Sequence, residues 1–139
     1  MNTETAFVLD TSVTLGALFK DEQDAYSLAV LDTLEQAVAV VPALWHLELG
    51  DILGRALKAG RITAQGLADS WERLCCLGIK TIHTPDDARL WAERSFEWKI
   101  TGYGSCYLEL ARQQRLPLAT KDAQLAAAAR RIGVGLYLA

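Results

Sequence analysis

The stretch Phe7-Val8-Leu9-Asp10-Thr11-Ser12 decides the fold. Its three consecutive apolar residues predict a short buried strand, and Asp10 stands where that strand should end. The residues that follow, 12–19, mix apolar and small side chains as a helix start does. An aspartate at the carboxyl end of a strand has a claim to chemistry, because in open α/β sheets the strand ends and the loops leaving them form the ligand crevice. Aspartate is also a common helix cap, accepting a backbone N–H bond. The stretch alone leaves both roles open.

Working outward, 139 residues suit one domain over residues 1–139, long enough to bury a core without disulfides or metals to hold it. With 51% apolar and 22% charged residues, the composition is that of a globular protein and leaves no room for a long disordered tail. The longest apolar run, residues 37–45, is too short to span a bilayer and is interrupted by Pro42. Glu4 replaces the basic cluster of a secretory leader. A cytoplasmic protein with no membrane partner is expected. Cys75, Cys76 and Cys106 are odd in number and form no C-x-x-C pair, so they predict small buried apolar residues and neither a disulfide framework nor a zinc site.

The net charge of −3 hides an asymmetry. Residues 1–51 carry nine acids against Lys20 alone, whereas from Arg112 onward Arg112, Arg115, Lys121, Arg130 and Arg131 face only Asp122. Such a distribution suits an acidic pocket beside a basic rim, or two solvated faces.

Beyond the first strand, residues 21–36 follow a helical period through Tyr26, Leu28, Ala29, Leu31 and Leu34. Residues 37–41 are β-branched and closed by Pro42, which predicts a second buried strand. A helix over residues 43–59 ends before Gly60. On it Glu48 and Asp51 lie three apart, so their Cβ atoms are roughly 5–6 Å apart on one face. That pair can hold a cation, or it can be a solvated face partnered by Arg55 and Lys58. A helix over residues 63–77 is expected to be capped by Thr63, with Trp71, Leu74 and Cys75 inward. Residues 79–83 alternate as a third strand, and Thr84 and Pro85 are expected to open a helix through Trp98 with Asp86 and Asp87 in its first turn. A helix over residues 101–114 starts from Thr101, with Gly102 and Gly104 early in it. Residues 116–120 predict a fourth strand, Asp122 caps an alanine-rich helix through Ile132, and residues 136–138 predict a fifth strand. This alternation implies a three-layer α/β/α sandwich around a mainly parallel sheet of about five strands. His46 and His83 have no matched set at ligand spacing and read as structural or surface residues. The four tryptophans read as core anchors.

In a parallel sheet Asp10, Glu48 and Asp122 can meet at one edge. Gathered carboxylates repel unless a cation or a proton neutralises them, and Mg²⁺ or Mn²⁺ takes oxygen ligands. Four blocks in order then give the chain a specific resemblance: Val8-Leu9-Asp10-Thr11-Ser12, Pro42-Ala43-Leu44-Trp45-His46-Leu47-Glu48-Leu49-Gly50, Tyr103-Gly104-Ser105-Cys106-Tyr107-Leu108-Glu109-Leu110-Ala111 and Pro117-Leu118-Ala119-Thr120-Lys121-Asp122. Together they span nearly the whole chain, which resembles a PIN-domain protein of the VapC toxin type, the nuclease half of bacterial toxin–antitoxin pairs. The resemblance implies a Mg²⁺- or Mn²⁺-dependent ribonuclease that forms a homodimer and is held inactive by a small antitoxin. It makes Asp10, Glu48 and Asp122 three members of an acidic quartet, with Asp51, Ser12 and Thr120 in support, the hydroxyls positioning phosphate oxygens or the attacking water. Two positions depart from the pattern. Gly104 stands where the family has its remaining aspartate, and Asp51 where relatives often carry asparagine. A PIN fold that has lost a carboxylate and is kept for antitoxin or RNA binding is the alternative. An aspartyl-nucleophile phosphatase would need a second acid at Ser12, and a phospho-receiver domain an acceptor Asp where the third strand ends at His83.

Overall fold

The computed structural model describes residues 5–139; Glu4, counted among the amino-terminal acids, lies outside them. Strand β1 (Thr5–Leu9) is the axis of the sheet. Phe7, Val8 and Leu9 have no solvent exposure, as expected for a parallel strand covered on both faces. It pairs in parallel with β2 (Ala37–Pro42) on one side and with β4 (Leu118–Ala119) on the other, and β2 pairs in parallel with β3 (Lys80–Ile82), giving the order β3-β2-β1-β4. All strands therefore end on the same edge. Between β1 and β4 the order reverses, and such a switch point opens a crevice at the strand ends.

Helices α1 (Thr11–Thr14), α2 (Ala25–Asp32), α3 (Ala43–Lys58), α4 (Ala64–Cys75), α5 (Ala88–Trp98), α6 (Gly102–Gln114) and α7 (Ala123–Arg131) flank the sheet. Trp45, Leu49, Leu53 and Ala56 form the buried stripe of α3, the i, i+4 spacing of a core-facing helix. Trp45 also donates from Nε1 to Thr14 Oγ1 at 3.0 Å, and Thr14 donates to the carbonyl of Asp10 at 3.2 Å, so α3 fixes the turn that follows β1.

Four strands form among the described residues where about five were expected. Residues 136–138 contribute a single bridge, Leu118 to Leu136. The stretch cannot extend because Leu138 adopts φ +56°, a left-handed conformation outside the β region, while Tyr137 stacks on Phe7 with ring centroids 4.0 Å apart. The helix expected over residues 21–36 is also broken. Asp24 accepts from Ser27 N at 2.7 Å and starts α2 at Ala25, with separate 3₁₀ turns before and after it. Similarly, Asp87 accepts from Leu90 N at 3.1 Å, so α5 begins at Ala88 and Thr84, Pro85 and Asp86 lie before it. In both places an aspartate side chain meets the orphan N–H groups of a first turn and sets the boundary.

Helix α4 turns only Leu74 fully inward; Trp71 is 43% exposed and Cys75 and Cys76 are exposed, contrary to expectation. Leu67, seven residues before Leu74, packs at the core edge, so the buried stripe of this outer helix is narrow. Cys106 is buried as expected. Of the tryptophans, Trp45 and Trp98 are core anchors, whereas Trp71 lies against His46 and Trp91 is half-buried, its Nε1 donating to the Pro85 carbonyl at 3.1 Å. Among the described residues, no helix is long and apolar enough to cross a membrane.

Candidate functional site

Asp10 has the N-cap position of α1, yet its side chain makes no capping bond. Its Oδ2 instead accepts from Ser12 Oγ at 2.8 Å and from Thr120 Oγ1 at 2.6 Å. The carboxylate is 8% exposed, and no lysine or arginine pairs with it among the described residues. Burial pushes its pKa up, the Thr120 and Ser12 hydroxyls pull it back, and the charge of Asp122 adds to the rise. Oδ1 receives no side-chain hydrogen bond among the described residues.

The loop after β4 is wired to the same carboxylate. Thr120 Oγ1 accepts from Asp122 N at 3.0 Å, and Ser12 Oγ accepts from Lys121 N at 3.0 Å. Two hydroxyls thus stitch the end of β1 to the end of β4. Asp122 caps α7, its Oδ1 accepting from Gln124 N at 2.9 Å and Leu125 N at 3.0 Å. Lys121 turns its ammonium away from Asp10, to Asp24 at 2.9 Å.

Glu48, in the second turn of α3, is half-buried. Its Oε1 lies 2.6 Å from the phenol oxygen of Tyr107 and 3.3 Å from Thr11 Oγ1, and those two hydroxyls are 2.8 Å apart. Each hydroxyl has one proton to give. The shorter contacts define a relay in which Thr11 donates to Tyr107 and Tyr107 donates to Glu48. Tyr107 is 1% exposed; burial and then the Glu48 carboxylate push its pKa far above the ordinary phenol range, opposed by the bond from Thr11. Asp51 pairs with Arg55 at 3.1 Å on an exposed face.

The sheet brings Asp10, Glu48 and Asp122 to one edge, with Ser12 and Thr120 directly on Asp10. Among the described residues, no group of three or more His, Cys, Asp or Glu side chains lies close enough to hold a metal ion. The donor chemistry nevertheless fits a hard divalent cation. Among the described residues Asp10 is a buried carboxylate paired with no cationic side chain, its neighbour Asp122 is a second acid, and the side chains that bond Asp10 are hydroxyls. Mg²⁺ accepts such a site with one or two carboxylates and several waters.

Gly104 lies in the first turn of α6, where Thr101 Oγ1 accepts its N–H at 3.0 Å. A Cβ placed there would meet Thr101 Oγ1 at 3.3 Å and, in ordinary contact, Ile100 and Leu125. Position 104 therefore faces the start of α7, the helix that Asp122 caps. His46 bonds Thr81 at 2.8 Å, and His83 lies 3.5 Å from Asp86 on the surface; neither approaches the acids. Tyr107 and Thr11 had no role assigned from sequence. The signal was a tyrosine inside the apolar run of α6, since a buried phenol needs a hydrogen-bond partner.

The fold matches solved structures over most of the chain. FitAcB from Neisseria gonorrhoeae aligns with 24% identity and a TM-score of 0.62, covering 94% of this chain and 96% of that one. PAE2754 from Pyrobaculum aerophilum gives 19% and 0.67, covering 90% and 80%. VapBC2 from Rickettsia felis, in a complex with a DNA fragment from their promoter, gives 13% and 0.61, covering 96% and 98%. The fold is the PIN-like fold of these solved structures. In this fold Asp10 and Asp122 sit at the β1–β4 switch point, Glu48 faces the turn after β1 from α3, and Gly104 leaves the first turn of α6 without a carboxylate. No protein-family model matches the sequence, and no curated protein matches it significantly.

Proposed function

We propose that this protein is a metal-dependent endoribonuclease, the toxin component of a type II toxin–antitoxin pair, acting in the cytoplasm as a single-domain chain that forms a homodimer. The observation that carries the reading is Asp10. It is a buried carboxylate at the strand-order switch point, held by two hydroxyls and matched by no cationic side chain among the described residues. Asp10, Glu48 and Asp122 would hold Mg²⁺ or Mn²⁺, with Asp51 in support. A bound Mg²⁺ supplies positive charge against a phosphodiester and lowers the proton affinity of water. Ser12 and Thr120 donate to one oxygen of Asp10 and partly offset the cost of burying its charge, and Tyr107 donates to one oxygen of Glu48. The substrate is RNA. A small antitoxin protein is the expected partner, a role supported by the likeness to the fold of VapBC2 and FitAcB.

A second reading is favoured by Gly104, which removes a family carboxylate, and by the lack of a three-acid group within ligand distance among the described residues. On it the chain is a PIN-fold binding protein retained for antitoxin or RNA contacts. Incubating the purified chain with a structured RNA in Mg²⁺, in Mn²⁺ and in chelator separates the two. Metal-dependent fragments that vanish in Asp10→Asn support the nuclease. RNA or antitoxin binding without cleavage supports the binding protein.

A further inference from the structure

We propose that Tyr107 is the positioning residue of the carboxylate site, fixing Glu48 by one oxygen so that the other is left for a cation; this deepens the nuclease reading and rests on it. Glu48 projects from a helix surface through three rotatable bonds, and its neighbour on that face, Asp51, pairs with Arg55. An unanchored glutamate there samples many rotamers, and ordering it when a cation arrives costs side-chain entropy. Tyr107 removes that freedom beforehand. Its ring is fixed in the core and its phenol meets Glu48 Oε1 at 2.6 Å. Thr11, the residue after Asp10, completes the relay at 2.8 Å. Glu48 on α3 is thereby referenced to the turn that carries Asp10. Both acids are built alike: hydroxyls on Oδ2 of Asp10 and on Oε1 of Glu48, and no side-chain hydrogen bond to the other oxygen among the described residues. Partners that orient a ligating side chain typically change metal affinity 10–100-fold when removed.

The test titrates MnCl₂ by calorimetry into the parent, Tyr107→Phe, Glu48→Gln and the double variant. Tyr107→Phe keeps the ring and removes only the hydroxyl. It should bind Mn²⁺ about tenfold more weakly, while the double variant should bind no more weakly than Glu48→Gln alone, because the phenol acts only through that carboxylate. Equal affinity in Tyr107→Phe and the parent overturns the proposal. So does a Tyr107→Phe loss that persists undiminished in the Glu48→Gln background, which would mark Tyr107 as merely structural. Should Tyr107→Phe not fold, Thr11→Val breaks the relay at its other end, and parent-like Mn²⁺ affinity in that variant overturns the proposal. A parent that neither binds Mn²⁺ nor cuts RNA takes down the nuclease reading itself, a result distinct from a parent that binds and a variant that matches it.

Discussion

Ionising Asp10 is costly. Its environment disfavours the charge through burial and through Asp122, and hydroxyls only partly offset this. Asp10→Asn removes the charge and keeps the shape. Metal-dependent RNA cleavage is expected to disappear, while the metal-free variant should melt no lower than the parent by differential scanning calorimetry. A clear drop in melting temperature would mean that Asp10 is chiefly a structural group. Gly104 poses the opposite experiment. Its backbone suits an ordinary residue and the added Cβ has only the Thr101 hydroxyl to move by a few tenths of an ångström. An aspartate in a helix first turn is also favoured over glycine, by up to about 1 kcal/mol. Gly104→Asp is expected to tighten Mn²⁺ binding and raise cleavage. Unchanged calorimetric affinity together with unchanged cleavage would show that the lost acid is not what limits this site.

The helices α5 and α6 are joined by a charge buried between them. Glu109 is 1% exposed and receives Arg94 Nε at 3.1 Å, Arg112 Nη2 at 2.6 Å and Gln113 Nε2 at 3.0 Å. Burial pushes its pKa up, yet the Arg112 and Arg94 bonds outweigh this and hold it below the ordinary carboxylate range. Glu109→Ala leaves Arg112 without its anion and Arg94 with only Glu97 at 3.3 Å, and because both guanidiniums reach solvent it should cost about 2 kcal/mol, read as a lower urea midpoint with the same slope. The linear sequence marks only the Arg112 and Gln113 spacing to Glu109 along α6; it does not mark the burial of the acid or its bond to Arg94, which comes from a different element. Elements whose signals are local were legible: β1, β2, and the caps at Thr63, Thr101 and Asp122, each of which makes its capping bond. Boundaries set by competing caps were not, as at Asp24 and Asp87. The narrow stripe of α4 was missed because helical periodicity says which residues share a face, not how far the core reaches up that face.

At the scale of the whole molecule, the amino-terminal loops are tied to the β4–α7 loop through Lys121, which reaches Asp24 at 2.9 Å and the Glu22 carbonyl at 3.3 Å. The Ser27 N–H and then Lys121 hold the Asp24 carboxyl down at about 2, below its ordinary 3.8. A depressed carboxyl contributes stability above its unfolded value and loses it as pH falls through the folded one. Thermal melts from pH 7 downward should therefore show the parent above Asp24→Asn near neutrality and the two converging between about pH 4 and pH 2. A gap that persists at pH 2 would assign the difference to capping geometry and not to charge. At this scale the strand-end acids were foreseen, because a parallel sheet sends all its carboxyl edges one way. Ser12 and Thr120 were expected to position phosphate oxygens or the attacking water, and their bonds to Asp10 were not foreseen; for Thr120 the reason is a separation of 110 residues in sequence. That separation also orders events during synthesis. A chain emerges from the ribosome amino end first and its domains fold as units, so Asp10 is made early and stays without Thr120 and the β4 pairing until β4 has left the exit tunnel. A nascent chain arrested before Leu118 lacks the strand that pairs with β1 and the Thr120 hydroxyl that holds Asp10, so the strand-end crevice is among the last parts of the molecule to be assembled.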